Sequence, residues 1–246
     1  TCPNHAGDQM NGYILKPTNF DPSKRYPVVM SQYSGPGSQS VLDKWTIDWE
    51  YYLVSKGFIV ACVDGRGTGG RSRAYETSVY MQLGKLETED QVAGAEYMRT
   101  LPYVDGKHIG IYGWSYGGYE TLMAMSTSNG TYQAGVAIAP VTDWRYYDTI
   151  YAERFMRTPN ENNEGYEQSA PITHAENLKG DLLIISGTAD DNVHYLNTLQ
   201  YSAALIEAGI QFDTQIYTNK DHHIRGCNTR HHLYSKVCNF FLDKLK

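Results

Sequence analysis

Residues 108–119 read His-Ile-Gly-Ile-Tyr-Gly-Trp-Ser-Tyr-Gly-Gly-Tyr. The apolar run at 108–112 predicts a buried β-strand, and the residues from 116 onward predict a helix. Between them, residues 113–117 match the pattern Gly-x-Ser-x-Gly. Glycines in this setting allow a sharp turn from strand to helix that presents the serine hydroxyl. The stretch therefore predicts a nucleophile elbow with Ser115 as the nucleophile, and the alternative is an ordinary glycine-rich turn.

On both sides of this turn, short apolar runs alternate with longer helical patterns. The predicted strands are residues 13–15, 28–33, 58–63, 108–112, 134–139, 182–186 and 214–217. The predicted helices are residues 43–55, 89–100, 116–126, 195–208 and 230–244, and residues 158–167 are predicted to form a surface loop. Thr88 and Gln91 fit a capping box, and Gly209 is a plausible helix stop. The alternation predicts a doubly wound, mostly parallel sheet with helices on both faces.

The composition limits the classes of protein that this chain can belong to. Its 246 residues are compatible with one α/β domain over residues 1–246. A net charge of -6 argues against nucleic-acid binding, which needs a basic surface. No apolar run is long enough to span a membrane. The four cysteines are too few and too scattered for a disulfide scaffold, although Cys227 and Cys238 could pair.

A serine nucleophile needs a base, and the base needs an acid that orients it. In the expected chain order of serine, acid and histidine, the strand at 182–186 is followed by Asp190 and Asp191. The last predicted strand is followed by His222 and His223, which compete for the role of base. A metal cluster of these histidines with His231 and His232 is disfavoured, because no carboxylate or cysteine spacing supports it.

Three further stretches combine with the elbow into a recognisable set. They are residues 64–69 (Asp-Gly-Arg-Gly-Thr-Gly), 144–155 (Trp-Arg-Tyr-Tyr-Asp-Thr-Ile-Tyr-Ala-Glu-Arg-Phe) and 187–194 (Gly-Thr-Ala-Asp-Asp-Asn-Val-His). In this order they resemble the prolyl oligopeptidase family, and more narrowly its dipeptidyl peptidase IV branch with its bacterial members. The resemblance runs through almost the whole chain. It implies an α/β-hydrolase fold and a serine exopeptidase that removes Xaa-Pro or Xaa-Ala dipeptides from peptide N-termini.

The resemblance assigns the catalytic roles position by position. It implies Ser115 as nucleophile, Asp190 as acid and His222 as base. The family usually has a glycine directly after this histidine, whereas the present chain has His223, which could crowd the base or add a second titrating imidazole. The oxyanion hole would combine the backbone N–H of Tyr116 with the hydroxyl of Tyr33.

The resemblance also implies a substrate pocket. By spacing alone, Trp144, Tyr147 and Tyr151 fall on one face of a helix, which is more often core than pocket. The family pattern instead makes them the wall of a small apolar pocket for the P1 residue of the substrate. The same pattern places Val141, Val193 and Tyr116 in this pocket, and it assigns Asn192 and Arg154 to the P2 carbonyl.

The expected protein is thus a serine dipeptidyl peptidase that needs no metal or organic cofactor. Its substrate would be a peptide with Pro or Ala at P1. The family's N-terminal β-propeller is missing from these residues, which contain no blade repeats, so the chain is expected to be the catalytic domain alone. A homodimer and an extracytoplasmic (periplasmic or secreted) location are implied by resemblance. The alternatives are an acylaminoacyl peptidase, another serine oligopeptidase or an esterase of the same fold, or a catalytically silent binding module.

Overall fold

An eight-stranded sheet forms the centre of the protein. The computed structural model describes residues 1–45 and 48–246. Within them the sheet has the strand order β1-β2-β4-β3-β5-β6-β7-β8. The strands are β1 Cys2–Pro3, β2 Gln9–Leu15, β3 Tyr26–Ser31, β4 Ile59–Asp64, β5 Val104–Trp114, β6 Ala134–Ile138, β7 Asp181–Gly187 and β8 Asp213–Tyr217.

Helices occupy most of the connections between these strands. They are α1 Glu50–Ser55, α2 Arg73–Thr77, α3 Lys85–Thr100, α4 Tyr116–Thr127, α5 Thr149–Met156, α6 Asn163–Gln168, α7 Leu196–Glu207 and α8 Thr229–Lys244. Two 3₁₀ helices cover Trp144–Tyr146 and Pro171–Asn177. No helix in the described part of the chain is long and apolar enough to cross a membrane.

The predicted fold class is confirmed. Along the sheet from β4 through β3 and β5 to β8, neighbouring strands pair in parallel. Among the described residues, only β1 with β2 and β2 with β4 are antiparallel. Strands β4 and β6 are buried along their whole length, as expected for parallel strands covered on both faces. One face of the sheet packs against α3, α4 and α7, and the other packs against α1 and α8.

Several predicted boundaries are wrong. The helix expected over 43–55 begins only at Glu50, and residues 46–47 of this prediction lie outside the described residues. Thr88 and Gln91 do not cap a helix, because α3 starts three residues before Thr88, at Lys85. The loop expected over 158–167 contains most of α6. Gly209, by contrast, has φ +72° just after α7 and ends it as predicted.

The cysteines form no disulfide. Cys227 and Cys238, which the sequence left as a possible pair, are both free thiols, the first exposed and the second buried. Cys2 and Cys62 are free and buried as well. The fold is therefore held by its two apolar layers and the sheet, without a covalent cross-link.

Candidate active site

Ser115 lies in a strained turn between β5 and α4. Its backbone has φ 59° and ψ -115°, a conformation that costs a residue other than glycine of order 1–3 kcal/mol. The turn is possible because glycines surround it: a Cβ on Gly117 would lie 2.5 Å from the carbonyl oxygen of Gln32. The Ser115 N–H donates to the carbonyl oxygen of Ile138 at 2.8 Å, which ties the turn to β6. This geometry is that of a nucleophile elbow.

Asp190 and His222 meet at the carboxyl ends of the two strands that follow β6 in the sheet. The Asp190 Oδ2 atom accepts a hydrogen bond from Nδ1 of His222 at 2.7 Å, and both side chains are buried. Oδ1 of the same carboxylate accepts the backbone N–H groups of Asn192 and Val193 at 3.0 and 2.9 Å. With both oxygens occupied, the carboxylate is fixed, and it fixes the orientation of the imidazole.

One of the two neighbouring histidines is buried and the other is exposed. His222 is buried against Asp190, whereas the His223 side chain is exposed and its backbone N–H donates to Oδ1 of Asp221. The two rings stand 5.9 Å apart, centroid to centroid, in an edge-on arrangement. His223 therefore leaves the contact between His222 and Asp190 intact.

Tyr33 and Tyr116, the two residues expected to form the oxyanion hole, lie beside each other at the elbow. Tyr33 lies two residues beyond the end of β3, is 40% exposed and has its ring 6.0 Å from that of Tyr116. Burial raises the pKa of the Tyr33 phenol, and a hydrogen bond with the Ser115 side chain partly offsets this rise. The phenol thus stays protonated and able to donate. Tyr116 is the first residue of α4, so its N–H has no acceptor within the helix.

The predicted pocket residues form one aromatic and aliphatic cluster. Trp144 stacks on Tyr151 at 5.8 Å between ring centroids, and Tyr147 meets both rings edge-on at 5.9 and 5.3 Å. The other side chains in this cluster include Tyr116, Tyr119, Val141 and Val193. Flat apolar walls of this kind suit a proline ring, which buries apolar surface and carries no N–H.

The prediction that Trp144, Tyr147 and Tyr151 lie on one face of a helix is wrong. Trp144 belongs to a 3₁₀ helix, Tyr147 is extended with φ -122° and ψ 169°, and Tyr151 lies in α5. The chain thus breaks between the first and the last of them. They meet because two short helices pack against the same apolar cluster, so the sequence predicted the right neighbours from the wrong geometry.

Asn192 and Arg154 differ in how firmly they are held. The Tyr147 hydroxyl donates to Oδ1 of Asn192 at 2.7 Å, which leaves the Nδ2 hydrogens of this amide free to donate. Arg154 is exposed on α5, with its guanidinium 5.4 Å from the centre of the Phe155 ring. Both side chains are exposed, but that of Asn192 is tied to Tyr147 of the aromatic cluster.

Two residues that the sequence did not single out support the site. Trp114 donates its indole N–H to the carbonyl oxygen of His222 at 3.0 Å and so holds the histidine loop. Asn197 is fully buried, and its side chain bonds the N–H of Thr142 at 2.9 Å and the carbonyl oxygen of His194 at 3.1 Å. An asparagine on the buried face of α7, in line with Tyr201 and Leu205, was the available signal for the second.

The described residues offer no group of three or more histidine, cysteine, aspartate or glutamate side chains that could hold a metal ion. Instead, the polar groups converge at one edge of the sheet. Ser115 follows β5, Asp190 follows β7 and His222 follows β8, so all three lie beyond the carboxyl ends of parallel strands. In open α/β sheets this edge is where catalytic groups gather. The fold and this arrangement define an α/β hydrolase of the serine type.

Comparison with known proteins agrees with this class. Residues 45–246 match the prolyl oligopeptidase family. The chain is 43% identical over 240 residues to a protein named probable dipeptidyl-aminopeptidase B from Grosmannia clavigera, which covers 96% of the chain and 24% of that protein. It is 41% identical over 231 residues to dipeptidyl peptidase 4 of Sus scrofa, covering 92% of the chain and 30% of the relative.

Among solved structures, dipeptidyl peptidase 4 of Porphyromonas gingivalis superimposes with a TM-score of 0.97 at 55% identity, covering 99% of this chain and 35% of that one. The chain therefore belongs to the prolyl oligopeptidase family of serine peptidases, and its similarity is to members of the dipeptidyl peptidase IV type. It spans about a quarter to a third of the length of these relatives.

Proposed function

We propose that this chain is the catalytic domain of an enzyme that releases N-terminal Xaa-Pro or Xaa-Ala dipeptides through an acyl-enzyme. The observation that carries the proposal is the fixed pair of Asp190 and His222 at the same sheet edge as the Ser115 elbow. A histidine held by a carboxylate at Nδ1 presents Nε2 as a base. The aromatic pocket beside the elbow supports proline or alanine as the residue that precedes the cleaved bond.

In the proposed reaction, Nε2 of His222 takes the proton of Ser115 as its Oγ forms a bond to the carbonyl carbon of the substrate. The carbonyl oxygen becomes an oxyanion that accepts hydrogen bonds from the Tyr116 N–H and the Tyr33 hydroxyl. His222 then gives its proton to the leaving amine as the C–N bond breaks. Water, deprotonated by the same histidine, releases the dipeptide from Ser115.

Restriction to dipeptides needs a group that binds the free amine of the substrate. The relatives are three to four times as long as this chain, and we propose that a β-propeller in the full-length protein supplies this group. Within the chain, Asn192 is suited to donate to the P2 carbonyl, because its acceptor oxygen is already used by Tyr147. Arg154 is the second candidate for this carbonyl, and its side chain is exposed like that of Asn192.

The decisive experiment replaces the nucleophile in the full-length protein. Ser115→Ala should abolish turnover of a Xaa-Pro chromogenic anilide and prevent covalent labelling by a fluorophosphonate. A wild-type protein that takes no label would instead indicate a silent binding module. Comparison of free with N-acetylated Xaa-Pro substrates separates the proposed exopeptidase from an acylaminoacyl peptidase, an endopeptidase or an esterase, since only the exopeptidase requires the free amine.

The assembly that we propose is a homodimer to which the C-terminal helices contribute. Helix α7 exposes Leu199 to 50% and Ile206 to 68%, and with Leu196 they follow one side of the helix. A second copy of the chain would cover this stripe. Introducing Glu at both Leu199 and Ile206 should yield a monomeric mass in light scattering, whereas Asn160→Glu, at an exposed position between α5 and α6, should keep the dimer. A monomeric wild-type protein would refute the assembly.

An extracytoplasmic location, periplasmic or secreted, is also part of the proposal and follows from the family resemblance. Fractionation of the producing cells tests it: activity against the Xaa-Pro anilide should appear outside the cytoplasm before lysis. Activity released only on lysis would contradict it.

A further inference from the structure

Behind the substrate pocket, the first turn of α3 and the residues just before it are joined to the first turns of α4 by three buried hydrogen bonds. Tyr116 donates its hydroxyl to Oε1 of Glu87 at 2.8 Å. Tyr119 donates to the carbonyl oxygen of Leu83 at 3.0 Å. The third bond runs from the Thr88 hydroxyl to Oε1 of Glu120 at 2.8 Å. We call these three contacts the α3–α4 seam.

The side chains of the α3–α4 seam are closely packed and buried. Gly84 caps α3 with φ +79°, and a Cβ at this position would overlap the Tyr119 hydroxyl. Glu87 is 1% exposed and Tyr116 is 3% exposed. The carboxyl and the phenol therefore have no access to bulk water that could replace their mutual bond.

Glu87, like Glu120 on α4, is a buried acid with no cation beside it in the described part of the chain. Its second oxygen, Oε2, has no hydrogen-bond partner among the described residues. Burial raises the pKa of this carboxyl to about 7. The titratable groups around it are Tyr116, Tyr119 and Glu120 on α4, Asp90 on its own helix and Tyr151 on α5. A costly buried acid that serves only the fold would be easy to replace by an apolar side chain.

Glu87 holds Tyr116, which has two roles in the proposed site. The Tyr116 backbone N–H faces the proposed oxyanion, and the Tyr116 ring packs 5.5 Å from Trp144 in the wall of the pocket. The hydroxyl at the far end of this ring is bonded to Glu87. Because the ring is rigid, fixing the hydroxyl fixes the ring, and with it the first turn of the helix that carries the N–H.

We propose that Glu87 is a positioning residue, which acts through the Tyr116 hydroxyl to hold the oxyanion donor and the pocket wall in register. The proposal rests on the proposed function, since it needs the Tyr116 N–H to face an oxyanion. An interaction made only in the transition state affects kcat, whereas one made with bound substrate affects KM. Loss of Glu87 should therefore lower kcat by a larger factor than it raises KM.

The test uses variants of the full-length enzyme and a Xaa-Pro anilide. Glu87→Leu leaves the buried phenol without an acceptor, and we expect kcat/KM to fall by roughly 5- to 150-fold, the equivalent of one unsatisfied buried donor. Glu87→Gln keeps an acceptor oxygen and should restore most of kcat. Tyr116→Phe should match Glu87→Leu, and the double variant should lose no more than either single variant.

Thr88→Val is the matched control, because it removes another bond of the α3–α4 seam without touching Tyr116. It should lower the unfolding temperature while keeping kcat within about twofold. The proposal is overturned if Glu87→Leu folds and retains kcat, if the losses of the two single variants multiply, or if Thr88→Val loses kcat equally. Should Glu87→Leu fail to fold, Tyr116→Phe decides: the proposal stands if this variant loses kcat by the stated factor and Glu87→Gln adds no further loss to it, and it falls if Tyr116→Phe keeps the wild-type kcat.

Failure here is distinguishable from failure of the proposed function. If Ser115→Ala stays active or the wild type takes no fluorophosphonate, the proposed function is wrong. If Ser115 behaves as expected but the Glu87 variants do not, only the positioning role of Glu87 falls.

Discussion

Asp190 binds His222 through one carboxylate oxygen and the backbone of its own loop through the other. The distances are 2.7 Å to Nδ1 of His222 and 3.0 and 2.9 Å to the N–H groups of Asn192 and Val193. The same carboxylate therefore orients the base and shapes the loop that carries two pocket residues. A change at Asp190 should affect both the rate and the binding of substrate.

Asp190→Asn should lower kcat by about 10⁴-fold, because the amide can no longer hold the imidazole in the tautomer that leaves Nε2 free. The exposed neighbour Asp191 is the matched control: Asp191→Asn should keep kcat within about twofold. Steady-state kinetics on a Xaa-Pro anilide make the measurement. Equal losses in both variants would show that the loop as a whole, and not the carboxylate of Asp190, is required.

Tyr33→Phe should reduce kcat by about 10²- to 10³-fold with little change in KM, because the hydroxyl donates to charge that develops only in the transition state. The half-exposed Tyr52, which lies on α1, serves as control for the loss of a phenol, and Tyr52→Phe should leave kcat unchanged. A rise in KM at constant kcat in Tyr33→Phe would assign Tyr33 to substrate binding instead.

Asn192→Leu should raise KM by about 5- to 10-fold, which corresponds to one lost hydrogen bond. Tyr147→Phe should produce a smaller rise, because it releases the Asn192 amide without removing it. The side chain of Asp191, next to Asn192 and exposed, provides the control as Asp191→Ala. If Asn192→Leu lowers kcat alone, Asn192 does not hold the ground-state substrate.

How much the sequence predicts depends on whether a signal is local. The buried parallel strands are found because continuous apolar runs such as 182–186 have few other structures open to them. The Ser115 turn is found because its glycines are required by local geometry. In both stretches the folded structure agrees with the local sequence pattern.

The predictions from sequence fail where tertiary contacts determine the local structure or the partner of a residue. The helical pattern at 43–55 is overridden at the described residues 43–45 and 48–49, and the aromatic spacing at 144–151 is interrupted at Tyr147. Glu87 could not be assigned from the sequence, because its partner Tyr116 is 29 residues away on another helix. Its position three residues into α3 reads as an ordinary acidic first turn.

The buried carboxyl of Glu87 also predicts a pH dependence of stability. Its pKa is raised to about 7 by burial, whereas a glutamate in the unfolded chain titrates near ~4.3. The folded state thus holds a proton that the unfolded state releases. This contribution to stability is fully present below about pH 4 and is lost as the pH rises through about 7, for a total of about 4 kcal/mol.

Glu87→Gln has no such proton, so its unfolding temperature relative to wild type should rise by several degrees between pH 5 and pH 8. Differential scanning calorimetry of the full-length protein at the two pH values makes the measurement. The exposed Glu207 on α7 is the control, and Glu207→Gln should keep a constant offset from wild type. If the difference in unfolding temperature between Glu87→Gln and wild type is the same at both pH values, Glu87 does not titrate between them. Burial would then not be what determines the pKa of Glu87.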